Sequence, residues 1–398
     1  MHLANFLAVG FAVLRLTQAC KTDEDCSLNG LCRRAPPVRG SSPSRPKVCH
    51  CDPGWFGDDC GRLDLAPASK INGYNHTTAT DPAHFGPHGN SSWGGQILQD
   101  PDDPQLFHLF ASQFADGCGL SGWRPSSFVM RAESRTGPQG PYHYADAVST
   151  PFRHNPYIFW SPADKKYLLY ATGVDAPPAE RCRSLSYTQW PNNISVSSAE
   201  SVRGPWTPWK LILASKEPHS TNPAPWPLWS PKERTHKIAL GVEDVNIFTA
   251  DRWDGEYKQV YTPTWNTSEW SPTWTEDPFL WRDKRGNWHA LVHWMIDLVE
   301  HDGQKYPRVG AHVFARELTG PWHFKQQEAI NSTIRFEDGT VQTLKRRERA
   351  KIFFSDDGQM TPLYLINGVQ EMGQNSLSST FIQPIGKKWR EYERRLGF

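Results

Sequence analysis

Three acidic side chains stand out by type and spacing: Glu243 in GVEDV, and the adjacent Glu276 and Asp277 in TEDPFLW. A pair of carboxyl groups can divide the work of opening an acetal. One stays protonated and gives its proton to the leaving oxygen; the other stays ionised and activates water. Glu276 has no acidic counterpart in the related stretches HNPYIFW and TNPAPW, so it is the better candidate of the adjacent pair, with Glu243 as its partner. Asp277 aligns there with Asn155 and Asn222. That Asn/Asp interchange suits a turn cap, and Asp277 is a catalytic candidate only against this reading. An amide cannot take a proton from water, so Asn155 and Asn222, with His154, are candidates for holding a substrate. His289 and His293 lie four apart, a zinc spacing on a helix but not in strand sequence. No metal and no cofactor is expected, His289 and His312 read as structural, and His293 is a candidate substrate contact. Tryptophan is abundant, at 18 residues, and the apolar face of a pyranose stacks on such rings. Trp93, Trp123, Trp226, Trp270 and Trp274 fall near the same places; one or two should face a ligand, with Trp93, Trp123 and Trp274 as candidates.

These residues converge only if the chain brings them together, and a repeat supplies the means. An Ala-x4-Gly element recurs as AESRTG (from Ala132), AESVRG (from Ala199), ADRWDG (from Ala250) and ARELTG (from Ala315). An aromatic follows the glycine at Trp206, Tyr257 and Trp322, and after a second Gly-Pro at Tyr142. Other stretches open on Asn155-Pro, Asn222-Pro and Asp277-Pro, then run through an apolar strand, a polar turn and a second apolar strand. The first unit begins instead near Trp93 and the fifth near Arg349. Short apolar runs between turn residues predict four-stranded antiparallel sheets. Five of them give a mainly β, five-bladed β-propeller. The starts of the innermost strands, with the ends of the second strands, then line one mouth: Trp93-Gly94, His154-Asn155, Thr221-Asn222, Glu276-Asp277, Glu348-Arg349, Ser112-Gln113, Glu243-Asp244, His293 and Asp297.

On the Asn/Asp-Pro openings and the A-x-S…G-P-W endings, about three-quarters of the chain resembles the five-bladed propellers of glycoside hydrolase family 43. The resemblance implies an Asp base from the first blade, a supporting Asp from the second and a Glu acid from the third. Here the first blade opens on Gly-Gly, the second on Asn155 and the third on Asn222, so the family's acids are not retained in place. The expectation is a glycosidase-like propeller that binds or hydrolyses extracellular polysaccharide, by inverting hydrolysis if Glu243 and Glu276 act. The alternative is a non-catalytic protein that binds glycan or protein at the mouth.

Six of the eight cysteines lie between Cys20 and Cys60, too short a stretch to fold without cross-links. Six cysteines allow fifteen pairings. The ending CHCDPGWFGDDC resembles an EGF-like domain, which implies Cys20–Cys32, Cys26–Cys49 and Cys51–Cys60. This module is expected to act as a spacer, with an extracellular protein as its alternative partner. Cys118 and Cys182 are expected to pair across neighbouring mouth loops. Residues 1–19 read as a signal peptide, so the protein is expected to be secreted. Sequons at Asn75, Asn90, Asn193, Asn266 and Asn331 fit a glycoprotein. The organisation is a signal peptide at 1–19, the EGF-like module at 20–61, a linker able to close the ring at 62–84, the propeller at 85–388 and a tail at 389–398. With 43 basic and 42 acidic residues, nothing points to nucleic acid, and no segment is expected to span a membrane.

Overall fold

A computed structural model describes residues 19–36, 45–74, 91–175, 182, 189–214, 221–298, 300–301, 304–305, 308–374 and 376–398. The leader before Ala19, the sequons at Asn75 and Asn90 and the linker beyond Tyr74 lie outside the described residues. The fold is mainly β, a five-bladed propeller with disulfides at its N-terminus.

Blade I is built from Ser92–Gln99, Phe107–Phe114, Ser127–Ser134 and His143–Ala147, innermost strand first. Blade II follows with His154–Ser161, Lys166–Thr172, Ile194–Ala199 and Lys210–Leu213. Blade III has Ala224–Pro227, Ile238–Val242, Asn246–Ala250 and Lys258–Tyr261. Blade IV has Thr275–Arg282, Trp288–Trp294, Val309–Ala315 and Trp322–Ile330. Blade V has Val341–Phe354, Pro362–Glu371 and Ser379–Pro384. The segment after Gly61 lies along its outer edge, where Leu65 bridges Ile385 and Tyr74 bridges Thr380. The five innermost strands touch one another in a closed ring.

The repeat has a physical cause. Each alanine of the Ala-x4-Gly element is buried at or near the end of a third strand. The aromatic beyond the glycine turns its polar atom back on the turn. Tyr142 Oη donates to Pro138 O, Tyr257 Oη to Trp253 O and Trp322 Nε1 to Leu318 O, each at 2.9 Å. A ring with a hydrogen-bonding edge therefore fits this place better than Phe.

The innermost strands carry a second regularity. Gly94, Asn155, Asn222, Asp277 and Arg349 all have left-handed backbones, with φ of 61°, 51°, 57°, 56° and 58°. In blades I, II, IV and V the ladder skips at this point. Each strand thus turns sharply as it meets the axis. Gly, Asn and Asp are the residues that take this conformation at low cost. The Asn/Asp interchange is therefore a backbone requirement and not the side-chain cap expected from the sequence. The Asp277 carboxylate goes to Arg349 instead of to its own turn.

The cysteine module pairs as Cys20–Cys32, Cys26–Cys49 and Cys51–Cys60. It is docked, not a spacer. Trp55 stacks on Trp281 at 6.5 Å and meets the His312 ring at 5.0 Å. Arg285 pairs with Asp52 at 2.5 Å and Lys325 with Asp59 at 3.0 Å. Trp281 lies near the end of its strand and Glu276 near the start, so the module sits on the face opposite the mouth, roughly 16 Å away at about 3.3 Å per residue. Residues 388–396, all but the first expected as tail, form a helix whose Trp389 and Tyr392 are buried against blades I and V. Among the described residues, no helix is long and apolar enough to cross a membrane.

Candidate functional site

At the axis the five left-handed residues form a linked set. Arg349 is the one whose side chain crosses it. Its guanidinium donates to Asn222 Oδ1 at 2.6 Å and pairs with Asp277 Oδ1. Asn155 Nδ2 donates to the same Asn222 oxygen at 3.2 Å, and Asn222 Nδ2 donates to Glu243 Oε2 at 2.7 Å. Gly94 has no side chain because Arg349 needs the room: a Cβ there would stand 2.9 Å from the Arg349 Cβ. Hydroxyls from the preceding blade hold the turns. Asn155 N donates to Ser112 Oγ at 2.9 Å and Asn222 N to Thr172 Oγ1 at 3.2 Å.

Glu243 follows the second strand of blade III in a tight turn, Glu243–Val245, and is 6% exposed. Burial, with Glu276, Asp277 and Asp244 nearby, raises its carboxyl well above the usual range and keeps it protonated. Glu276 is the opposite case. Burial pushes it up, but His293, Arg349 and Arg308 outweigh that and lower it, so it stays ionised. Its Oε1 lies 2.8 Å from His293 Nδ1, and its side chain keeps 23% exposure, enough to be reached from solvent. Asp244 is pushed up to about 7 by burial and by Glu276. Lys351, buried further along the axis, donates to Pro156 O, and burial with the Arg349 charge brings it down to about 7.

The remaining candidates divide. His293 belongs to the site through Glu276. Asn222 engages both ends of its amide within the protein, so it positions Glu243 instead of touching a sugar. Asn155 is buried and leans on Asn222. Asp277 pairs with Arg349, yet burial still raises its carboxyl to about 7. Trp93, expected to face ligand, is 1% exposed and packs against Gly368, where a Cβ would meet its ring at 2.5 Å. His154 is buried between Phe114 and Trp123, and burial with the Arg349 and Arg124 charges keeps it neutral. Trp123 is half-buried, with the Arg124 guanidinium 3.9 Å from its ring centre. Trp274 is half-buried beside Trp270, ring centres 5.9 Å apart, and Trp270 is 62% exposed. That pair is the open aromatic surface near the acids. The Asp297 side chain lies outside the description. His289 and His312 stack on each other under the cysteine module, far from the mouth. Cys118 and Cys182 form a disulfide across the loops of blades I and II. Asn266 and Asn331 are exposed and Asn193 is half-buried.

Glu276, Asp277, His293 and Glu348 bring potential metal-ligating atoms within 4.8 Å of one another. Two guanidinium groups already neutralise this cluster, Arg349 on Asp277 and Arg308 on Glu348 at 2.5 Å. Arg124, Arg308 and Lys351 were absent from the sequence-based mouth; Arg349 was placed there without a role. A signal existed for Arg349, the fifth residue in a register otherwise filled by Gly, Asn and Asp; Arg124 and Arg308 sit in loops with no repeat to mark them.

No family model and no curated protein matches the sequence. Solved structures do. A point mutant of the GH43 protein BlXynB from Bacillus licheniformis aligns at 12% identity and a TM-score of 0.47, covering 76% of this chain and 54% of its own. A mutant α-L-arabinanase from Cellvibrio cellulosa aligns at 12% and 0.46, covering 73% and 90%. A mutant exo-β-1,3-galactanase from Phanerochaete chrysosporium with β-1,3-galactotriose aligns at 13% and 0.45, covering 76% and 62%. The chain spans about half the length of the Bacillus licheniformis protein.

Proposed function

We propose that the propeller mouth is a carbohydrate site that hydrolyses glycosidic bonds with inversion, Glu243 giving the proton and Glu276 activating water. One observation carries this reading: two carboxyl groups at one mouth whose surroundings drive their protonation in opposite directions. That division of states is what acid–base cleavage of an acetal requires. Asn222 orients the Glu243 carboxyl and His293 holds Glu276 ionised. The exposed Trp270 beside Trp274 offers a ring face for a sugar.

A second reading, binding without cleavage, is favoured by the deep burial of Glu243. One experiment separates them. Purified protein is incubated with a panel of oligosaccharides, and products are counted for the wild type, Glu243→Gln and Glu276→Gln. The hydrolytic reading expects cleavage by the wild type and at least about 100-fold loss in each variant, with binding and melting temperature nearly kept. Binding with no product in the wild type selects the second reading.

We also take the N-terminal module as EGF-like, on its pairing and its C-x-C-x-x-G-W-x-G-x-x-C ending. Four disulfides support a protein made for an oxidising, extracellular compartment.

A further inference from the structure

The charges at the mouth are nearly all paired. Arg349 meets Asp277, Arg308 meets Glu348, and His293 meets Glu276. Arg124 is the exception among the described residues. It stands on the mouth loop of blade I, close enough to Arg349 for the two charges to repel. Its one hydrogen-bond acceptor is the neutral amide of Asn192, and its guanidinium lies over the Trp123 ring. Its Nε is buried without a partner. No described carboxylate pairs with it. A half-buried guanidinium whose Nε is buried, and which faces only an amide and a ring, has lost part of its hydration with little in return. An anion arriving at the mouth would restore that loss, and the planar fork of Arg suits a carboxylate or a sulfate in two-point contact. The mouth is therefore split. Glu243, Asp244 and Glu276 stand on the side of blades III and IV; the unpaired cation stands on the side of blades I and II.

We propose that the sugar taken at this mouth is anionic, a uronate or a sulfate ester, and that Arg124 pairs with its charged group. The inference deepens the carbohydrate reading above and rests on it for the identity of the site. A ligand lying across the axis meets Arg124 with its charged substituent and the acids with its glycosidic oxygen. Arg124 is then a specificity residue that takes no part in proton transfer.

The test measures binding by calorimetry for oligogalacturonate, oligoguluronate, hyaluronan oligosaccharides and a sulfated galactan oligosaccharide. Each is set against a neutral counterpart, the carboxyl-reduced or desulfated chain. At least one anionic ligand should bind about tenfold or more tightly than its counterpart, with an affinity that falls as salt rises. Arg124→Gln, which can keep the Asn192 contact, should erase that preference while leaving neutral-chain affinity within about threefold, and Arg124→Lys should restore part of it. Which arm responds separates uronate from sulfate. A preference that survives in Arg124→Gln overturns the proposal, and so does equal binding of charged and neutral chains. If neutral chains are cleaved and charged ones are not, the substrate class falls and hydrolysis stands. If a charged chain binds through Arg124 and is never cleaved, the class stands and hydrolysis falls. No binding by any chain removes both.

Discussion

At the scale of single residues, the site is an exercise in holding like charges apart. Glu243, Asp244, Glu276 and Asp277 crowd one side of the axis, and four ionised carboxylates there would repel strongly. The structure answers with burial for Glu243, a histidine for Glu276 and an arginine for Asp277, though burial outweighs that arginine and raises the Asp277 carboxyl to about 7. Burial, with the Glu276 charge nearby, raises the Asp244 carboxyl from 3.8 to about 7. A raised acid binds its proton in the folded state where the unfolded chain has lost it. Stability therefore falls as pH rises from about 4 to about 7. Asp244→Asn keeps a side chain suited to the left-handed backbone there and removes the titration. Compared by melting temperature at pH 5 and pH 8, the wild type should lose more stability than this variant; equal losses would show that Asp244 ionises freely. The same logic extends to the proposed catalysis. Glu276 is ionised well into acid, so the rate should hold on the acid side and fall in alkali as Glu243 loses its proton, an assignment that Glu243→Gln checks by abolishing the limb. The acids themselves were legible in the sequence. Their protonation was not, because it depends on Arg349, Arg308 and His293 arriving from blades IV and V.

At the scale of elements, the decisive feature is the left-handed turn at the start of each innermost strand. It explains a pattern visible in the sequence as Asn155, Asn222 and Asp277 but readable there only as capping. Side-chain caps and left-handed backbones favour the same residue types, so type alone could not separate them. The backbone term can be isolated. Asn155→Gly and Asn155→Ala both lose the contact to Asn222, and only Ala pays for a left-handed backbone. Denaturant unfolding should find the Gly variant more stable by about 1 kcal/mol. Equal stability would mean the turn relaxes. Arg349 is the costly member of this set, a long side chain in a conformation that suits Gly or Asn. It is retained where it can reach Asn222 and Asp277 at once. The strands and turns were legible from apolar runs and the Ala-x4-Gly element. The burial of Trp93 and His154 was not, because both pack against neighbouring blades and no local pattern reports that.

At the scale of the whole molecule, two faces do different work. The cysteine module, through Trp55, Asp52 and Asp59, clamps the far face of blade IV, while the mouth gathers the acids. The module's cysteines were plain in the sequence; its docking was not, since Trp281 and His312 look like ordinary strand residues. On the mouth face, Cys118–Cys182 ties together the loops that carry Trp123, Arg124 and Asn192, closing 64 residues of chain. Loop-closure entropy puts its contribution at up to about 4 kcal/mol. The double Cys118→Ser, Cys182→Ser variant should melt earlier and show a raised KM with a smaller change in kcat if, as proposed, the loops bind and the acids react. An unchanged KM would separate those loops from the ligand. The central claim is that Glu243 and Glu276 cleave a glycosidic bond together. The most direct measurement is proton NMR of the first product formed from a neutral and anionic oligosaccharide panel, for the wild type and for Glu276→Gln. The account predicts a product of inverted anomeric configuration from the wild type and none from the variant. A retained configuration, or equal product from both proteins, would contradict it.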